Sequence, residues 1–325
     1  MLNTISKEIK AIINNYSVED QVIFRNKVIN VDHYKFETVK AEQEQKTVTY
    51  LDGGQTEIIS VGNFCLSFIR VFGVKFLGKL KQDFVKHEFY LLTYAQSKNN
   101  EIYYKSKVFQ VKDENNTNKI PNLINEENLL ISSNDTSIKI GQERAPISSV
   151  ANMARRFAEL KLAKHLADKD YSDYFLLDGT LEPSYPREEL ILAELPSKVC
   201  ALTKTSSLFT TQGNNPLVLF SKICPDGCWS YHLQDNTHFV KLNQNSKHVF
   251  RYEGRKELLQ QLLTNAEDAL FLGYPYGLIF ADRMARVSNQ EKDQFKMKFL
   301  LNRENKELLS YLSASNGHEI LDTIS

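Results

Sequence analysis

The sequence is short of the features that announce several protein classes. Its 325 residues hold only four cysteines, too few for a disulfide framework, so a reducing compartment is the expectation. No apolar run approaches the roughly 18–20 residues of a membrane span. The opening stretch MLNTISKEIKAIINNYSVED scatters charge among its apolar positions instead of building the apolar centre of a signal peptide. These absences predict a cytoplasmic protein without membrane contact. Excess charge is missing as well, because 40 Lys and Arg balance 40 Asp and Glu. A chain that coats nucleic acid by bulk electrostatics is normally basic. Any nucleic acid must therefore be held by local basic patches or delivered by a partner. The sequence has no P-loop pattern, so nucleotide-driven work would belong to another subunit.

What is present is a chain with 42% hydrophobic residues, enough for one large domain or two small ones. From about Asn3 to Asn30 the pattern reads as one or two helices, with SVED as a capping box. KTVTYLDGG alternates like a strand ending at Asp52. TEIISVGNFCLSFIRVFGVKFL is rich in Ile, Val and Phe and is broken by Gly62 and Gly73. Together they predict three consecutive antiparallel strands, since the gaps are too short for crossover helices. HEFYLLTYAQSKNNEIYYKSKVFQV suggests a hairpin turning at Asn99–Asn100, and the Asn-rich stretch after it an inserted loop. SSVANMARRFAELKLAKHLADK is the clearest helix. DYFLLDGTLE then reads as a strand, REELILAELP as a short helix and KVCALTKTS as a buried strand. PLVLFSKI, CWSYHLQ, THFVKLN and KHVFRYE read as β-rich, and RKELLQQLLTNAEDALFLG as partly helical. YPYGLIFADRMARVS opens with a proline near a helix start. Ser288 and Glu291 form a capping box before a terminal helix. Strands and helices in this order predict an α/β domain with a mixed sheet.

Four carboxylates stand out against their surroundings. Asp52 and Asp178 each end an apolar strand just before a glycine, where a charge is costly if buried alone. A hairpin turn explains either one alone. Glu159 lies on the apolar side of the clearest helix, with Leu162, Ala163 and Leu166 following at helical spacing. An ion pair with Arg155 or Arg156 is the plainer account. Asp282 sits on another apolar stripe in GLIFADRMARV, with Arg286 as its plainer partner. The order is strand end, helix, strand end, late helix. That layout resembles the ribonuclease H-like nucleases, whose carboxylates from these four elements converge on two divalent cations. Hard Mg²⁺ or Mn²⁺ ions take such oxygen ligands.

At YPYGLIFADRMARVS, taken with YLDGG, LLDGTL and ALTKTS, the chain resembles the NurA nuclease family from about Thr47 to about Leu300. The resemblance implies a ribonuclease H-like mixed sheet flanked by helices, with an insertion after the first three strands. It implies a Mn²⁺-dependent DNA nuclease, with Mg²⁺ possible and two ions in all. Such enzymes degrade DNA 5′-to-3′ and cut single strands internally. They work as homodimers on a hexameric HerA-type ATPase in DNA end resection. Asp52, Glu159 and Asp178 match the family's acidic ligands. Asp282 stands where some members carry histidine, and Gln55 departs from the usual small hydroxyl residue after Asp-Gly. Residues 1–46 then read as an N-terminal helical, dimerising segment. Residues 47–310 read as the nuclease domain, with its insertion at about 88–146, and 311–325 as a tail.

Several basic and aromatic residues join the candidate site. Lys204, at a neighbouring strand end, is placed to hold a phosphate or orient the attacking water, or is simply a solvated lysine. Arg283 and Arg286 flank Asp282 and either contact the DNA backbone or form surface ion pairs. Tyr274 and Tyr276 either stack on a base or pack the helix entry. Cys224, Cys228, His232 and His238 have the wrong spacing for a zinc finger. The rival to a nuclease is a non-catalytic ribonuclease H-like scaffold docked on a DNA-processing ATPase.

Overall fold

The computed structural model describes residues 1–14, 20–111, 120–302 and 305. The chain starts with α1 (Leu2–Asn14), whose Leu2, Ile5, Ile9 and Ile12 are exposed. The helix expected to run on toward Asn30 is instead a hairpin of β1 (Gln21–Phe24) and β2 (Lys27–Asn30). Arg25 and Asn26 both take positive φ, the backbone of a type I′ turn. Val22 and Phe24 are buried while Ile23 is exposed, so a period of two prevails there. Ser17, which opens the expected first capping box, lies outside the described residues. β3 (Phe36–Thr38) follows.

The expected meander is present, with different boundaries. β4 (Thr47–Val61) runs unbroken through Asp52, Gly53 and Gly54, and β5 (Phe64–Leu77) runs through Gly73. Asp52 therefore sits inside a strand and not at its end. Neither Gly53 nor Gly54 adopts positive φ. β6 (Leu80–Lys98) and β7 (Glu101–Gln110) complete the meander, turning at Asn99 and Asn100, both of positive φ. The first part of the stretch expected as an insertion is thus sheet. From Ile120 to Pro146 the described chain is largely irregular and includes the short edge strand β8 (Ile131–Ser132).

α2 (Val150–Asp168) then crosses to β9 (Tyr174–Asp178), which pairs in parallel with β4. α3 (Glu188–Ala193) leads to β10 (Val199–Thr203), parallel to β9. β11 (Phe209–Thr210) joins β1 and β2 in a separate three-stranded sheet. PLVLFSKI, expected as β, is the helix α4 (Pro216–Ile223). Pro216 occupies its first turn and the Asn215 side chain accepts from the Leu217 N–H, a start signal that outweighs the apolar run. β12 (Trp229–Gln234), β13 (Thr237–Lys241) and β14 (Phe250–Glu253) extend the main sheet antiparallel beyond β10. α5 (Glu257–Leu262), α6 (Tyr276–Ala285) and α7 (Asn289–Leu300) end the described fold, the last opened by the expected Ser288–Glu291 capping box.

The main sheet has 11 strands in the order β3-β12-β13-β14-β10-β9-β4-β5-β6-β7-β8. At its centre β4, β9 and β10 are parallel, with helices on both faces. On one face Phe157, Leu160 and Ala163 of α2 pack with Leu51, Ile69 and Leu177. On the other, Leu278, Ala281 and Ala285 of α6 pack with Tyr50, Phe72, Leu176 and Leu202. Burial on both faces explains why YFLL is apolar without alternation. Among the described residues, no helix is long and apolar enough to cross a membrane.

Candidate active site

The parallel register sets the first two acids side by side. Leu51 pairs with Leu177, so Asp52 and Asp178 follow on adjacent strands. Asp52 is buried and accepts a hydrogen bond from the Gly53 N–H at 2.8 Å. Asp178 does end its strand, and Gly179, at φ 127°, turns the chain away in a conformation that favours glycine.

Gly53 and Gly54 serve close approach rather than turning. A Cβ on Gly53 would collide with the Glu159 carboxylate and the Arg155 side chain, and one on Gly54 with the Ala285 carbonyl. Two glycines in an extended strand thus let α2 press on β4 from one side and the end of α6 from the other. This double contact brings Glu159 and Asp282 toward Asp52.

Three of the acids carry basic partners. Arg155 Nη1 lies 2.5 Å from Glu159 Oε1 and donates to the Gly53 carbonyl at 3.3 Å. Lys204 Nζ lies 2.6 Å from Asp178 Oδ2. Arg286 Nη2 lies 2.7 Å from Asp282 Oδ2. Arg156, the other expected partner of Glu159, turns away. Its Nε donates to the fully buried Glu188 at 2.8 Å and an Nη donates to the Thr180 carbonyl.

Electrostatics tie the four acids together. Burial raises the Asp52 pKa to about 8, and Glu159, Asp178 and Asp282 each add to the rise by repulsion. Burial also raises Glu159, against the lowering pull of Arg155 and Arg156. Among the described residues, no three His, Cys, Asp or Glu side chains already stand as an ion-binding group; three of the four acids are drawn to their own cations. The donor chemistry nonetheless fits hard divalent cations, because carboxylates from three further elements lie near enough to the buried Asp52 to oppose its charge. Asp52, Glu159, Asp178 and Asp282 are the residues that would hold such ions.

Sequence reasoning left Tyr274 open between base stacking and packing. The ring is fully buried, so it cannot stack on a base. Lys204 Nζ lies 4.8 Å from its centroid. The hydroxyl is buried without a partner of hydrogen-bond geometry, close enough to Asp178 for that carboxylate, after burial, to push the phenol's pKa far up. The pattern Gly-Tyr-Pro before α6 was the available signal. Tyr276 is half-buried, edge-on to Phe76 and tilted on Phe280. Arg283 and Arg286 are exposed at the end of α6.

The loop after Asp178 is held by residues that sequence reasoning missed. Glu253 accepts from the Thr180 hydroxyl at 2.7 Å and from the Leu181 N–H at 2.9 Å. Thr203 donates to the Gly179 carbonyl. Cys224, Cys228, His232 and His238 do not gather: Cys224 caps α4, Cys228 precedes β12, and the two histidines face each other across β12 and β13.

No family model matches the chain, and no curated protein does. Solved structures do. The chain is similar to the NurA nuclease from Sulfolobus solfataricus, with a TM-score of 0.52 and 14% identity over 94% of this chain and 96% of that one. A Ciona intestinalis endonuclease V, solved with DNA containing an inosine followed by a ribo-adenosine, aligns at a TM-score of 0.38 and 13% identity, over 81% of this chain and 94% of that one. The first likeness establishes the fold. It is the ribonuclease H-like mixed sheet flanked by helices that the NurA nuclease shares.

Proposed function

We propose that the protein is a divalent-metal-dependent DNA nuclease of the NurA type. One observation supports it best: Asp52 and Asp178 follow the paired Leu51 and Leu177 on adjacent strands, and the close approach of α2 and α6 over Gly53 and Gly54 brings Glu159 and the end of α6, which carries Asp282, toward them. Two Mn²⁺ or Mg²⁺ ions bound there would supply electrostatic activation of water and stabilisation of the leaving 3′ oxygen. The protein's own share is positional. Asp52 and Asp178 project from neighbouring strands in fixed register, and Glu159 and Asp282 approach over the glycine pair. Lys204, supported on the Tyr274 ring, offers a cation beside Asp178 for a scissile or flanking phosphate. Arg283 and Arg286 extend the basic rim toward the DNA backbone.

The finer reading is 5′-to-3′ exonuclease and single-strand endonuclease action in DNA end processing, by a homodimer docked on a hexameric HerA-type ATPase. The balanced charge of the chain supports delivery of DNA by a partner. The exposed apolar side chains of α1 support a protein contact at the N-terminus.

The test uses end-labelled single- and double-stranded DNA with Mn²⁺, Mg²⁺ or EDTA, with and without a HerA-type partner. Cleavage should require the metal. Asp52→Asn and Asp178→Asn should each abolish it in folded protein. Full Mn²⁺-dependent cleavage by either variant would refute the assignment and favour a scaffold whose acids serve only their ion pairs.

A further inference from the structure

The basic residues around the site fall into two kinds. Arg156 is enclosed: its side chain is 9% exposed, and its bonds go to buried Glu188 and to a backbone carbonyl. Arg155, Lys204 and Arg286 are different. Each holds one candidate metal ligand by a single nitrogen, and their side chains are 28%, 40% and 74% exposed. Two of the three pairs join residues four apart on one helix. Long basic side chains on such pairs can turn outward while the helix stays in place. The exposed Arg286–Asp282 pair contributes little to stability, whereas Arg155 can leave the buried Glu159 only when another cation takes its place.

A carboxylate that binds a divalent cation no longer needs its basic partner. A guanidinium or ammonium left beside that cation is repelled by it. A favourable destination for it is then an anion such as a DNA phosphate. We propose that Arg155, Lys204 and Arg286 are exchange cations, which pair with Glu159, Asp178 and Asp282 while the acids lack metal and pass to substrate phosphates when the acids take it up. The proposal rests on the nuclease reading above and adds Arg155 to the substrate-binding residues. It makes metal loading and DNA binding one linked equilibrium. The exchange at these three acids breaks no covalent bond, since each ion pair is replaced by another.

The experiment measures DNA affinity of the full chain against salt concentration, in EDTA and in Ca²⁺, which binds carboxylate oxygens. Labelled duplex oligonucleotides report binding independently of turnover. Each phosphate newly neutralised steepens the plot of log affinity against log salt by about 0.9 for duplex DNA. The wild-type slope should be steeper in Ca²⁺ than in EDTA. Arg286→Met, Lys204→Met and Arg155→Met should each lower the slope by about that amount in Ca²⁺ and leave it unchanged in EDTA. Arg286 is a surface side chain, so its variant remains informative even if Arg155→Met fails to fold. A slope reduced equally in both conditions would mean the contacts exist without metal. A slope reduced in neither would mean the residues are only structural. Either result overturns the exchange. Mn²⁺-dependent cleavage alongside unchanged slopes would overturn it while leaving the nuclease reading intact. Absence of both cleavage and DNA binding would overturn both.

Discussion

A fully buried acid needs every lone pair accounted for, and Glu188 meets that demand. It accepts from Arg156 Nε at 2.8 Å, from the Ser184 N–H at 2.8 Å and from the Tyr185 N–H at 3.1 Å. Arg156 in turn fixes the Thr180 carbonyl just past Asp178. Glu188→Ala would leave the guanidinium buried and unpaired, a loss of about 3–5 kcal/mol. Equilibrium denaturation checks this, and a change below about 1 kcal/mol would show that Arg156 finds water instead. The same scale shows what single residues reveal in sequence. Asp178 was legible because Asp-Gly there does what the pair usually does, ending a strand at positive φ. Asp52 was legible as a candidate for the wrong reason. Its glycines exist for the helices that lean on them, and those helices come from about one hundred and more than two hundred residues later in the chain. Tyr274 was seen and left undecided, since the burial of its ring depends on tertiary packing that no spacing encodes.

At the level of elements, the docking of α6 on β4 decides where Asp282 stands. Ala285 lies against Gly54 and Gly277 lies against the Tyr50 ring, so the helix touches the strand at both ends. Arg70 braces the far end, with bonds to Glu88 at 2.6 Å, Glu291 at 2.8 Å and the Arg286 carbonyl at 3.1 Å. Gly54→Ala should push α6 outward. Overpacking of this kind costs roughly 1–3 kcal/mol, and a displacement near 1 Å at a reacting centre costs roughly 10²-fold in rate. A melting curve together with a cleavage rate tests both. Near-wild-type cleavage by Gly54→Ala would show that α6 need not touch the strand. Most elements were readable: the meander, α2, β9, α3, β10 and the capping box of α7 all follow from local pattern. The failures were short apolar stretches. VIF in β1 and PLVLFSKI in α4 suit either periodicity, and the deciding facts were the positive φ of Arg25 and Asn26 and the cap at Asn215.

For the whole molecule, pH acts on the fold through buried imidazoles. Burial lowers His87 to about 4, opposed by Glu88 and aided by His165. Burial and neighbouring His232 lower His238 to about 4. Both have an ordinary value of 6.5. The unfolded chain therefore takes up these protons below about pH 6.5, while the folded chain resists until about pH 4. Their contribution is complete above that window and is lost as pH falls through it, by roughly 3 kcal/mol for each residue. The raised Asp52 carboxyl works in the opposite sense over this range, so the imidazoles are read by comparison. From about pH 7.5 to 4.5 the wild type should lose more stability, or gain less, than a His87→Gln, His238→Gln double variant, as measured by denaturation midpoints. An equal difference in both proteins would assign the effect to other groups.

The central strand also has a history. β4 pairs on one side with β5, its immediate successor, and on the other with β9, more than a hundred residues onward. During synthesis the meander can close early from local contacts, yet a chain that has emerged only as far as β7 owns one acid of the four. Glu159 and Asp178 follow, and Asp282 arrives only with α6, near the end of the described chain. A ribosome-bound intermediate is therefore short of the full acid set until α6 has emerged, so the four carboxylates cannot be brought together on a polypeptide that has reached only β10.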